Sequence, residues 1–260
     1  MRDECSPPGA GPELRIEPGR DKHGQPETCG ALVVRAGETV AVVGMTGSGK
    51  TRLLADIERL SPGDSPTGRR VTLAAGPAER AVSTLGVARI TQSMQFFLDL
   101  NVGEFVAMHV DALGRSGRVD PSDVIAAANT LAGEAFAAGD PLAHLSGGQA
   151  RALMIADAAL VANAPVLLID EIENAGIDRR AALRFLSRPG RIVVLATHDP
   201  GIALGATRRW VMADGAIRTV RETTLGERRR AAALARTESR LSILRADLRE
   251  GREVGTRGPV

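Results

Sequence analysis

The chain has 260 residues, 33 Lys and Arg against 31 Asp and Glu, and 43% hydrophobic residues, for a formal charge of +2. With a mean hydropathy of −0.03 this describes a soluble globular protein of one large or two small domains. The near-neutral balance excludes a strong electrostatic pull toward nucleic acid, and no direct nucleic-acid binding is expected. The longest apolar runs, such as 192–196, and shorter ones such as 166–169 fall far short of the roughly 20 residues that span a bilayer. Two cysteines, Cys5 and Cys29, form neither a disulfide scaffold nor a metal-ligand spacing. Together with the missing charged-then-apolar leader, they point to a cytoplasmic protein.

In chain order, residues 1–30 are rich in Pro, Gly and charge and are expected to be poorly ordered, with a short strand near 14–16. Residues 31–35 and 38–43 form a strand-like pair joined by a turn at Ala36-Gly37. A short helix over 51–60 stops at Ser61-Pro62-Gly63, and 71–91 reads as further strands. From 102 to 162 the pattern is helical and alanine-rich, interrupted at Gly139-Asp140-Pro141. The apolar runs 166–169 and 191–196, each flanked by helical stretches, predict buried parallel strands of an α/β sheet. Residues 210–220, with Asp214-Gly215 in the middle, predict a β-hairpin. The last helix covers 222–250. Residues 216–260 hold 11 Arg against 6 acids, and Leu234, Leu241, Leu244 and Leu248 make an apolar stripe. That stripe is expected to pack back on the domain or on a dimer mate.

Three segments carry chemistry. Gly44-Met45-Thr46-Gly47-Ser48-Gly49-Lys50-Thr51 fits G-x-x-x-x-G-K-[ST] and lies between a strand and a helix. Its glycines let backbone N–H groups wrap a phosphate chain, and the helix N-terminus adds positive dipole character. Lys50 places a compact ammonium on the β- and γ-phosphates, and Thr51 offers a hydroxyl to Mg2+. Lys22 and Lys50 are the only lysines beside 31 arginines, so arginine replaces lysine almost everywhere in this chain. At Lys50 a bulky planar guanidinium would substitute badly. The second segment, 166–171, is an apolar strand ending in Asp170 and Glu171. Asp170 can hold the Mg2+ shell, and Glu171 can polarise a water in line with the γ-phosphate. The third, Leu145-Ser146-Gly147-Gly148-Gln149, opens an Ala-rich helix and makes another phosphate-facing helix N-terminus.

These motifs, in this order, resemble the ATP-binding cassette (ABC) ATPases over about 40–220. The resemblance implies a P-loop NTPase core with a parallel sheet, an antiparallel β-subdomain and an inserted α-helical subdomain, plus the C-terminal helix. Its bounds are 31–221 for the ATPase domain, about 93–162 for the helical subdomain and 222–260 for the Arg-rich tail. It also implies ATP as the nucleotide, with Gln92 of the Q-loop reaching Mg2+ and the attacking water, His198 as the switch histidine on the γ-phosphate, and Asp178 as the D-loop aspartate. Two departures stand out: Ile172 follows Glu171 where the family usually has Pro, and no Phe, Tyr or Trp precedes Phe96 to stack on adenine. Family logic further implies a homodimeric sandwich in which Ser146, Gly147, Gly148 and Gln149 of one cassette face the nucleotide on another. A membrane transporter subunit would be the partner, with Phe96 and Phe97 as a docking surface, so the chain would be peripheral on the inner face of the cell membrane. A soluble ABC ATPase in cofactor assembly or another non-transport role is the alternative.

Overall fold

The computed structural model describes residues 11–74, 86–91, 99–170, 177, 179–249 and 251–252. Strands β1 (Glu13–Ile16), β2 (Leu32–Arg35) and β4 (Val71–Ala74) form an antiparallel sheet in the order β2-β1-β4. Strands β3 (Thr39–Val43), β5 (Val87–Ile90), β6 (Val166–Asp170), β7 (Ile192–Ala196), β8 (Arg208–Ala213) and β9 (Ala216–Glu222) form a second sheet in the order β5-β6-β7-β3-β8-β9. Within it every pairing is parallel except the β8–β9 hairpin.

The apolar runs of β6 and β7 are buried because both faces of the sheet are covered. Leu167, Ile169, Val193 and Leu195 turn toward the helices α4 (Gly147–Asp157) and α5 (Arg179–Leu186), joining Ala152, Ile155, Ala182 and Leu186. Val166, Leu168, Ile192 and Val194 turn the other way, onto Leu53, Leu54 and Ile57 of α1 (Lys50–Glu58) and the buried ring of Trp210. A side-chain period of two therefore feeds two cores from one strand.

The helical region is three helices rather than one interrupted run: α2 (Val102–Ala112), α3 (Pro121–Leu131) and α4. Asn101 and Glu104 close a capping box at the start of α2, and Asp120 with Pro121 starts α3. Val102, Val106, Val110, Val124, Ala128, Leu153 and Ala156 make their separate core. His109 Nδ1 lies 2.8 Å from the buried Asp157 carboxylate and ties α2 to α4. After α4 a π-helical turn (Ala158–Ala162) ends at Asn163. Buried Arg191 caps it, donating to the carbonyls of Ala159 (3.0 Å) and Ala164 (3.2 Å) and to Asn163 Oδ1 (2.8 Å).

Three expectations are corrected. Residues 31–43 do not fold back as a hairpin: β2 joins the antiparallel sheet while β3 lies between β7 and β8. The cause is burial, since β3 is covered on both faces and β2 is not. The short strand expected near 14–16 is present as β1, but the residues after it, 17–30, are not loose. β1 is the central strand of its sheet, and the following loop is fastened by Asp21 Oδ1, which accepts from the His23 and Gln25 amides at 2.9 Å. Of the two places expected for the leucine stripe of α7 (Leu225–Arg249), the domain or a dimer mate, the described residues of the domain do not cover it. The helix meets α6 (Pro200–Gly205) near buried Ala231, but Leu234, Leu241, Leu244 and Leu248 are between 37% and 65% exposed.

Candidate functional site

The strand order β6-β7-β3 sets three sequence motifs side by side. Asp170 at the end of β6 pairs with Ala196 at the end of β7, and Ala196 pairs with Val42 of β3. Thr197 N–H then donates to the Val42 carbonyl at 3.1 Å, so His198 leaves β7 beside the strand that launches residues 44–51. Ligands of parallel sheets bind at this carboxyl edge.

The loop itself has a shape that only its glycines allow. Gly49, the N-cap of α1, has φ 101°, and a Cβ there would stand 2.8 Å from Gly215 Cα. A Cβ on Gly44 would meet the Met212 carbonyl at 2.5 Å and Ser48 Oγ at 2.6 Å. Lys50 is buried, and its Nζ donates to the carbonyls of Gly44 (2.9 Å) and Met45 (3.2 Å), folded over the loop it serves. Among the described residues, Ser48 Oγ is buried with no hydrogen-bond partner. Thr51 is exposed on the first turn of α1. An orphaned hydroxyl, an ammonium over the loop and a cradle that side chains would fill fit a phosphate chain.

Asp170 is not free to point at that loop unopposed. Its Oδ2 accepts from Arg89 Nη2 at 2.7 Å, both side chains being 13% exposed, and Arg89 Nη1 donates to Glu58 at 2.9 Å. Burial works against the Arg89 charge, but the Glu58 and Asp170 carboxylates outweigh it and hold the guanidinium above its ordinary pKa. Thr51 and Asp170 are hard oxygen donors, the type that takes Mg2+ with phosphate and water completing the shell. Among the described residues no three His, Cys, Asp or Glu side chains gather to hold a metal by themselves.

Ser146 is the N-cap of α4. It forms a capping box with Gln149: the Gln149 amide donates to Ser146 Oγ at 3.3 Å, and the Ser146 amide donates to Gln149 Oε1 at 2.8 Å. Gly147 and Gly148 begin the helix there. Helix α4 packs against α3 and α5, so this N-terminus belongs to the helical layer and not to the loop's own wall. The expected roles of Gln92, Glu171 and Asp178, and of Phe96 and Phe97, lie outside the described residues.

Sequence reasoning missed the second wall of the loop. The β8–β9 turn at Asp214-Gly215 lies on it, with Gly215 N–H donating to the Ser48 carbonyl at 2.9 Å. Lys22 closes the outside of this turn through its Nζ, 2.5 Å from Asp214, and its own amide donates to the Asp214 carbonyl at 2.8 Å. The Lys22 ammonium, followed by Arg218, holds the Asp214 carboxyl below its usual range. Arg89 was also missed; the visible signal is a charge inside a strand-like run.

The model of the ABC transporter family matches residues 31–174. An uncharacterised ABC transporter ATP-binding protein of Methanocaldococcus jannaschii is 41% identical over 245 residues, covering 92% of this chain and 93% of that one. A hemin import ATP-binding protein of Nocardia farcinica is 34% identical over 212 residues, covering 75% and 72%. Among solved structures, a dimeric ATP-binding cassette in a post-hydrolysis state, bound to ADP and Pi, aligns over 81% of this chain and 99% of its own. The TM-score is 0.56 at 22% identity, a likeness of fold. Among the described residues no helix is long and apolar enough to cross a membrane.

Proposed function

This chain belongs to the ABC transporter ATP-binding family, and from that premise we propose that it hydrolyses ATP to drive transport through a separate membrane-spanning partner. The observation that carries the reading is the β6-β7-β3 edge, which collects Lys50, Asp170 and His198 beside one glycine-lined loop. In this reading the loop N–H groups of residues 44–51 and Lys50 bind the β- and γ-phosphates. Thr51, Asp170 and Gln92 hold Mg2+, which when bound neutralises charge on the phosphate oxygens. Glu171 takes the proton of the attacking water, and His198 donates to the γ-phosphate from the end of β7.

One cassette leaves the γ-phosphate open to water. A second copy supplies Ser146, Gly147 and Gly148 as a facing helix N-terminus, with Gln149 bracing it through the capping box and Asp178 lining the dimer contact. Two positive helix ends and an ammonium then converge on one polyanion, and water is shut out only in the dimer. The chain sits on the inner face of the membrane through its partner. Glu171→Gln is expected to hold an ATP-bound dimer with little turnover; hydrolysis at the wild-type rate would remove Glu171 as the base. For the transport role, tagged chain extracted in mild detergent from its own cells is expected to bring a multi-span protein with it. Recovery of the chain with soluble proteins alone would favour the non-transport ATPases of the family.

A further inference from the structure

Arg69 belongs to none of the motifs, yet its side chain is fully buried and joins four segments of the chain. Its Nη2 donates to Glu27 Oε1 at 2.5 Å and its Nε to Glu27 Oε2 at 3.2 Å, a bidentate pair with a carboxylate only 1% exposed. Nη1 lies 3.5 Å from Asp56 Oδ2 on α1. Nη2 also donates to the Gly215 carbonyl at 2.6 Å. Glu27 in turn accepts from the amides of Gly19 (2.7 Å) and Ile217 (2.6 Å), so its lone pairs are well used. The approach is close: a Cβ on Gly19 would stand 2.5 Å from Arg69 Cγ.

The destination of this network is the phosphate loop. Gly215 has φ 83°, and both peptide groups beside its Cα are held: the carbonyl by Arg69, the N–H by the Ser48 carbonyl at 2.9 Å. Carbonyl and N–H of one planar peptide point in opposite directions. Holding the Ser48 carbonyl toward Gly215 therefore aims the Gly49 N–H away from the turn. We propose that Arg69 is a positioning residue for nucleotide binding: through Gly215 it fixes the Ser48–Gly49 peptide of the phosphate loop before nucleotide arrives. A fork is required, because one guanidinium must serve a carboxylate and a carbonyl at once, which a single ammonium cannot do with the same geometry. The inference rests on residues 44–51 being the phosphate loop, and the test separates the two.

The experiment measures ATP affinity by calorimetry on the full chain, with melting temperature and kcat against KM, for Arg69→Lys, Arg69→Met and Lys50→Ala. Arg69→Lys keeps a cation opposite Glu27 and loses the fork. It is expected to stay folded, weaken ATP about tenfold and raise KM more than it lowers kcat, since sub-ångström displacement of a binding group is costly. Arg69→Met is expected to weaken ATP further. Because breaking a buried ion pair can unfold a chain, amide exchange on the unmodified, nucleotide-free protein gives a second reading. The Gly215 amide is expected to exchange as slowly as those of β8. A folded Arg69→Lys protein that binds ATP within about twofold of wild type overturns the proposal, as does a Gly215 amide exchanging at loop rates. If Lys50→Ala keeps its ATP affinity, the loop assignment itself fails. If Lys50→Ala loses it and Arg69→Lys does not, the Arg69 inference alone fails.

Discussion

Replacing Arg89 by Gln strips Asp170 of its cation at the edge where we propose that metal binds. The pair is 2.7 Å apart with both side chains 13% exposed, so its charge centres attract by about 4 kcal/mol at an effective dielectric of 20. Desolvation of the two ions takes back much of that, leaving a net loss of about 1–3 kcal/mol in the metal-free protein. At about 2–4 °C per kcal/mol for a chain of this size, Arg89→Gln should melt several degrees lower. With Mg2+ the sign reverses. The wild-type carboxylate is shared between Arg89 and an arriving divalent cation, and the two cations repel. In the variant Asp170 and Glu58 both lose Arg89, a bound Mg2+ would restore a cation to Asp170 alone, and the half-saturating Mg2+ concentration should fall about tenfold, equivalent to about 1.4 kcal/mol. Melting temperature followed against Mg2+, at saturating non-hydrolysable ATP analogue, reads both effects. An Arg89→Gln protein that melts no lower without metal, or that needs as much Mg2+ as wild type, would refute the competition between Arg89 and metal for Asp170.

Two further outcomes follow from individual side chains. The Asp157 hydrogen bond, working against burial, raises the pKa of His109 above its ordinary value. A histidine that binds its proton more tightly when folded stabilises the protein fully below its unfolded pKa and loses that contribution as pH rises through the folded value. The gap in melting temperature between wild type and His109→Asn should therefore be widest at pH below the ordinary histidine pKa and narrow as pH rises above it; a gap that widens with pH would contradict the pairing. For the base, no Phe, Tyr or Trp precedes Phe96, and Trp210 is fully buried. Base stacking worth about 1–3 kcal/mol is thus missing from these segments, and GTP should compete with ATP to within about tenfold. Exclusion of GTP by hundredfold or more would require a base contact supplied from elsewhere.

What could be read from sequence was what local chemistry dictates. Residues 44–51 carry their conformation in the glycine spacing, and β6 and β7 announce themselves as unbroken apolar runs because both faces are buried. The strand near 14–16 was legible, but the order of residues 17–30 was invisible since its causes are distant: Glu27 meets Arg69, 42 positions away, and the Ile217 amide, 190 positions away. The pair 31–35 and 38–43 misled for a related reason. A turn at Ala36-Gly37 shows that the chain bends but not which sheet receives each strand, and here the partners of β3 come from beyond residue 190. The α7 leucines show the limit of periodicity: spacing defines a face, but whether anything covers it depends on neighbours that spacing does not contain.

The most direct test of the nucleotide site is the calorimetric affinity of Mg-ATP for wild type and Lys50→Ala. Lys50 Nζ now donates to the Gly44 and Met45 carbonyls and would give charge-assisted bonds to phosphate. Each such bond is worth about 1.5–3 kcal/mol, so its removal should weaken ATP by about a hundredfold without changing the fold. A folded Lys50→Ala protein that binds ATP as tightly as wild type would contradict the assignment of residues 44–51 as the phosphate loop.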